Sequence, residues 1–106
     1  MKKNLNEVLE QVTEEQWQEL YNNLGWADME AALFEDGSIE YRMEDNLSRD
    51  EYEIVATLPL KTSYWRDSLE EWELYDQEND TVKIDADQEK INEFIEEVLK
   101  DAFVER

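Results

Sequence analysis

Apolar positions along this chain recur with different periods, and each period predicts a different element. Leu5, Val8, Leu9 and Val12 are spaced i, i+3, i+4 and i+7, which places them on one face of a helix. A second helix follows at once. Thr13, Glu14, Glu15 and Gln16 make a capping box, in which the side chains of Thr13 and Gln16 each accept the other's backbone N–H. Val12 before the cap and Trp17 at the fourth helical position supply the matching hydrophobic staple. Trp17, Leu20, Tyr21 and Leu24 then share a face, and Gly25 offers a left-handed stop.

The period next falls to two. Ala31 to Glu35 and Ser38 to Glu44 predict a hairpin closed by Asp36-Gly37. Its second strand should turn Ile39, Tyr41 and Met43 to the core and Glu40, Arg42 and Glu44 outward. After a polar stretch, Glu51 to Leu58 predicts a third strand with Tyr52, Ile54, Ala56 and Leu58 inward and Glu51 and Glu53 outward. Pro59, the only proline, ends or edges that strand because it has no N–H for a ladder. Between 61 and 87 the pattern weakens. Asp67-Ser68-Leu69-Glu70 predicts a capped helical turn carrying Leu69 and Trp72, followed by a hairpin of 71–75 with 81–84 around Gln77-Glu78-Asn79-Asp80. Finally, Asp85 or Asp87 caps a helix to about Val104, with Ile91, Phe94, Ile95, Val98, Leu99, Ala102 and Phe103 as its apolar stripe. The expected fold is α+β: a small antiparallel β-meander of three to five strands, flanked by N-terminal helices and a long C-terminal helix on one sheet face. With no repeat and no Gly/Ser/Pro linker, residues 1–106 are expected to form one domain.

Composition removes most chemistry. The chain has no cysteine and no histidine, so thiol nucleophiles, Ser-His and Cys-His pairs and nearly every zinc site are excluded. Gly25 and Gly37 are its only glycines, too few for a phosphate-cradling loop. Carboxylate pairs of the kind glycosidases use are so abundant that none is singled out. Asp76, Glu78 and Asp80 fall at the first, third and fifth positions of a calcium-loop pattern. Thr81, however, stands where that loop needs glycine, and Asp87 where it needs glutamate, so a solvated turn is expected. No catalytic, cofactor-binding or metal residue is therefore expected, and no enzyme. Missing cysteines and the lack of a signal-peptide or membrane-length apolar run give the expectation of a cytoplasmic protein.

Net charge changes the picture most. Thirty acidic against ten basic residues give −20, whereas solubility needs a magnitude of only about 2–8 in a small domain. Disordered acidic chains are poor in aromatics, but this one has four Trp, five Tyr and three Phe, so it is expected to fold around its charge. From Asp28 to Glu53 ten acids face two arginines, and the stripe Glu89, Glu93, Glu97 and Asp101 repeats at i+4, where like charges destabilise a helix. A basic footprint for binding nucleic acid or a membrane directly is lacking.

Three readings follow. In the first, the protein mimics nucleic acid and occupies the basic groove of a DNA- or RNA-binding protein through Asp36, Glu40, Glu44, Asp45, Asp50, Glu51 and Glu53, with Trp65 as an exposed anchor. In size, acidity and lack of catalytic residues the chain is similar to anti-restriction and anti-CRISPR inhibitors of phages and mobile elements; that likeness is compositional and covers no motif. The second reading is an adaptor that binds through its aromatic residues, a homodimer contact being its simplest version. The third is an acidic housekeeping domain of a salt-adapted host. Six lysines against four arginines, and more Glu than Asp, count mildly against it.

Overall fold

In a computed structural model that describes residues 4–43 and 51–105, the chain is α+β, with four helices, a four-stranded antiparallel sheet and a separate two-stranded hairpin. Helices α1 (Leu5–Gln11) and α2 (Glu14–Asn22) meet at Thr13, whose side chain accepts the Gln16 N–H while Gln16 Oε1 accepts the Thr13 N–H. This is the capping box expected from the sequence, and it fixes the sharp break between the helices. Strands β1 (Met29–Phe34) and β2 (Ile39–Met43) follow, then a 3-10 turn (Glu51–Glu53) leading into β3 (Ile54–Pro59). Next come α3 (Thr62–Glu71), the short strands β4 (Tyr75–Asp76) and β5 (Thr81–Val82), and α4 (Gln88–Phe94). Helix α4 continues as a π-helical segment (Ile95–Leu99) before a last short strand, β6 (Val104–Glu105).

The sheet runs β2-β1-β3-β6. Between β1 and β3 the register passes from Leu33 opposite Ala56 to Phe34 opposite Ile54, so Val55 is an extra, bulged residue. One sheet face carries Ala31, Leu33, Val55, Ala56 and Leu58 into a core shared with all four helices. A much smaller cluster, Ala32, Phe34 and Ile54, lies on the opposite face. At the centre of the main core Phe94 meets the rings of Tyr21, Trp65 and Trp72 edge-on, at 6.0, 6.1 and 5.7 Å. Gly37 turns the first hairpin in the left-handed region (φ 84°), where it abuts Gln11. A Cβ there would come within 2.9 Å of Gln11 Cβ, so close approach as well as conformation calls for glycine.

Several expectations need correction. The third strand begins at Ile54, not Glu51, because the chain enters it through the 3-10 turn, and Tyr52 is exposed rather than inward. Arg42 lies on the outward face of β2, yet it is only 7% exposed and donates to Glu30 Oε1 through Nε and Nη2 at 2.8 and 2.7 Å. Met43, on the inward register, is exposed at the end of the edge strand. The short helical turn near Leu69 is a ten-residue helix that starts just after Lys61 without a side-chain cap. The last helix ends at Leu99, not near Val104, which pairs with Thr57 as part of β6.

Candidate functional site

Of the acids expected to bind a partner, the structure places Asp36, Glu40 and Glu53 and brings them to one end of the sheet. Asp36 sits in the β1–β2 loop, where its Oδ1 accepts the Ser38 N–H at 3.0 Å and the Ser38 hydroxyl at 2.5 Å. Glu40 is half-buried on β2, opposite Ala32. Glu53 is exposed at the end of the 3-10 turn, and its carbonyl accepts the Glu35 N–H at 3.1 Å, which ties that turn to the first hairpin. Glu44, Asp45 and Asp50 lie outside the described residues; Glu51 opens the 3-10 turn.

The same end gathers acids that the sequence had separated. Gln16, already part of the capping box, donates through Nε2 to the Gly37 carbonyl at 3.2 Å, and Gln11 packs on Gly37. The α1–α2 junction, which carries exposed Glu10, Glu14 and Glu15, is thereby fastened to the hairpin loop that carries Asp36. Sequence reading missed the first three because they belong to helix faces that look merely solvated. The only signal that could have found them is that Gln16 and Gly37 must each serve two purposes.

Trp65 is not an exposed anchor. It is 1% exposed, its indole N–H donates to the Pro59 carbonyl at 2.6 Å, and its ring packs on Phe94. Burial in the core removes it from any surface contact. Exposed aromatic area lies instead at Trp26 and Tyr64, 56% and 53% exposed, and at Tyr52. Trp26 follows Gly25, whose carbonyl accepts the Thr62 hydroxyl at the start of α3, two residues before Tyr64.

The β4–β5 hairpin has its own electrostatics. Asp80, in the left-handed region at φ 52°, accepts from the Tyr75 hydroxyl and from Arg66 Nη2, the latter at 3.0 Å. These two donors hold the Asp80 carboxyl below the usual carboxylate range, the Tyr75 hydroxyl contributing more. Asp76 is lowered chiefly by the Asn79 side chain, because its oxygens accept from the Asn79 amide and from the backbone of the turn. Its carboxylate thus serves to close the turn, and among the described residues no group of three or more acids is placed to hold a metal ion. In the core, burial pushes up the Tyr21 phenol, which donates to the Lys83 carbonyl at 2.5 Å, and nearby Asp85 adds to the shift. Burial, followed by the Glu19 charge, pushes Tyr41 up to about 12 against a partial offset from Asn23.

A groove of about 800 Å³ runs between the two N-terminal helices and α4, with Leu9, Val12, Trp17 and Ile95 beneath and Glu10, Glu14, Glu15 and Glu96 around it. Lys100 lies over the Trp17 ring at 5.5 Å and pairs with Glu96. Among the described residues no helix is long and apolar enough to cross a membrane. Comparison with protein-family models, with curated proteins and with solved structures finds no match to this chain.

Proposed function

We propose that the protein is a non-enzymatic acidic inhibitor that occupies the basic groove of a DNA- or RNA-binding protein and competes there with the phosphate backbone. The observation that carries this reading is the convergence at one end of the molecule of the α1–α2 junction, the first hairpin loop and the 3-10 turn. Each brings exposed acids, and backbone or side-chain hydrogen bonds hold the three together. A rigid array of like charge costs stability and is retained where it serves recognition. Charge density supports the same reading. Over the molecule's 42 Å long axis, duplex DNA would carry about 25 charges at one per about 1.7 Å, and this chain carries 20. Proteins that defend a cell against foreign nucleic acid are one class with such a groove.

The test reverses Glu35, Glu40 and Glu53 to Lys in one variant and changes Trp26 and Tyr64 to Ala in another, with folding checked by circular dichroism. Each is assayed for binding to a nucleic-acid-binding protein recovered from host extract, and for displacement by duplex DNA. Binding lost in the first variant, with DNA displacing the wild type, supports the decoy. A second reading, an adaptor contact, is favoured by the exposure of Trp26 beside the first turn of α3 that carries Tyr64. Loss of binding in the Trp26 and Tyr64 variant alone establishes that reading and ends the first.

A further inference from the structure

The main core is sealed almost everywhere. Of its buried side chains, all but Val12, Trp17, Ile95 and Phe103 are 2% exposed or less, while these four keep 8%, 5%, 6% and 7%. They are not scattered. Val12, Trp17 and Ile95 line the groove between the N-terminal helices and α4, and Phe103 packs edge-on against Trp17 at 6.0 Å. The core therefore comes closest to solvent along one line, with half-buried Leu9 extending it.

The groove wall is also where helix geometry departs from the ordinary. Ile95 and Glu96 belong to the π-helical segment, which closes with the Lys100 N–H donating to the Ile95 carbonyl, five residues back, at 3.0 Å. Such segments are uncommon and occur often at functional sites. From Gln88 through Asn92 and Glu96 to Lys100 the lining residues of this wall step by four, so the groove follows one helix face for about 18 Å, roughly three turns. Among the described residues charge is uneven along it: Glu10, Glu14, Glu15 and Glu96 against the single cation Lys100, which is already paired with Glu96. Glu14 and Glu15 suit the positive start of α2, but Glu10 lies in the last turn of α1, where negative charge destabilises.

We infer that this groove docks a basic amphipathic helix of about three turns, with its apolar side chains over Trp17, Val12 and Ile95 and its lysines or arginines meeting Glu10, Glu14, Glu15 and Glu96. A narrow apolar floor selects a helix face with anchors at i, i+3 and i+4, and the acidic rim selects the charge of its flanks. The groove shares Glu10, Glu14 and Glu15 with the acidic end of the decoy reading and differs from it in its apolar floor, which charge alone does not satisfy.

The probe is a fluorescein-labelled synthetic peptide of about 14 residues, about 21 Å long as a helix, with leucines on one face and lysines on the other. Its control is a permuted peptide of the same composition with the leucine stripe broken. Titration is read by anisotropy and by the backbone and indole N–H signals of the isotope-labelled protein. The amphipathic peptide is expected to bind about tenfold or more tightly than the permuted one, and to shift the Trp17 indole signal while those of Trp26 and Trp65 stay in place. Asn92→Trp, which fills the groove from an exposed helix position, should weaken binding about tenfold; reversing Glu35, Glu40 and Glu53 to Lys should weaken it by less than about threefold. Equal binding of the two peptides, or an unmoved Trp17 signal on the wild type, overturns the inference whatever the variants do. Failure of the decoy leaves these outcomes unaffected.

Discussion

Replacing Phe94 by alanine should remove a third or more of the stability of this protein. The ring is fully buried and contacts three aromatic neighbours, one each from α2, α3 and the C-terminal end of α3. Truncating a buried Phe costs about 3–5 kcal/mol through lost transfer energy and the cavity left behind. Each edge-to-face pair adds about 0.5–1.5 kcal/mol beyond area burial. Three such pairs put this site at the upper end, near 5 kcal/mol, against a total of about 5–15 for a chain of this length. Phe94→Leu separates the contributions, because it keeps most of the apolar volume and gives up the ring pairs; it should cost about 1.5–3 kcal/mol. Urea unfolding followed by circular dichroism is the assay, with the exposed Glu93→Ala on the same helix as a control that should stay within about 0.5 kcal/mol. At about 2 kcal/mol per molar urea, the alanine variant should lose roughly 2.5 M in midpoint. A loss under about 0.5 M, or equal losses for Leu and Ala, would refute the view that Phe94 joins the helices through its ring contacts.

Three other perturbations probe charge and protonation. Glu30→Gln should destabilise by about 1–3 kcal/mol, because Arg42 stays buried with a weaker partner, whereas Glu73→Gln should change little, since its pair with Lys90 is exposed; urea midpoints compare them. Tyr41, raised by burial to about 12, contributes stability in full below pH 10 that is lost as the pH rises from 10 through 12, so tyrosinate absorbance should show Tyr41 ionising at higher pH in the folded protein than in the urea-unfolded chain. Asp80 shifts the opposite way. Its lowered carboxyl stabilises the folded hairpin above the ordinary aspartate range, and hydrogen exchange in residues 75–82 should quicken as acid protonates it, but not in Asp80→Asn.

The elements easiest to read in the sequence are those whose boundaries rest on local chemistry. Thr13 and Gln16 define the α1–α2 break through bonds within one turn, and the polar run 77–80 marks a turn whatever surrounds it. Helix α3 was harder, because Lys61 makes no side-chain cap, although Trp65, Leu69 and Trp72 do recur at i, i+4 and i+7. That spacing, followed through, would have moved Trp65 from surface anchor to core. Arg42 shows a different limit. Alternation gives the face of a strand but not whether that face is covered, and the outward Arg42 is buried. The stripe from Ile91 to Phe103 keeps helical spacing past Leu99, where the helix stops; Phe103 still reaches Trp17, but from beyond the π-helical segment. The acidic end was legible only in part: Asp36, Glu40 and Glu53 stand out in the sequence, but Glu10, Glu14 and Glu15 join them through two long-range contacts of Gly37, with Gln11 and Gln16.

Salt separates the decoy from the salt-adapted housekeeping domain, which share the same composition. No described helix carries a cation in its last turn, although each such residue would contribute about 0.3–1 kcal/mol. Negative charge is thus maintained where it opposes local stability, and both readings must explain how the fold tolerates it. The molecule is 28 Å and 19 Å across its shorter axes. At about 0.01 M salt the Debye length of about 30 Å exceeds both, so charges on opposite surfaces repel; at about 0.15 M it falls to about 8 Å, and only neighbours one helical turn apart still interact. The melting temperature should therefore climb between these conditions, by about 4–8 °C for each kcal/mol of repulsion removed. It should then level off toward 1 M sodium chloride, a salt chosen because sulfate would strengthen apolar burial as well. A decoy that meets its partner at ordinary ionic strength must already be folded at 0.15 M. A protein that stays largely unfolded there and keeps gaining stability up to molar salt would be one whose acids serve its solvent, and the decoy would have to be given up.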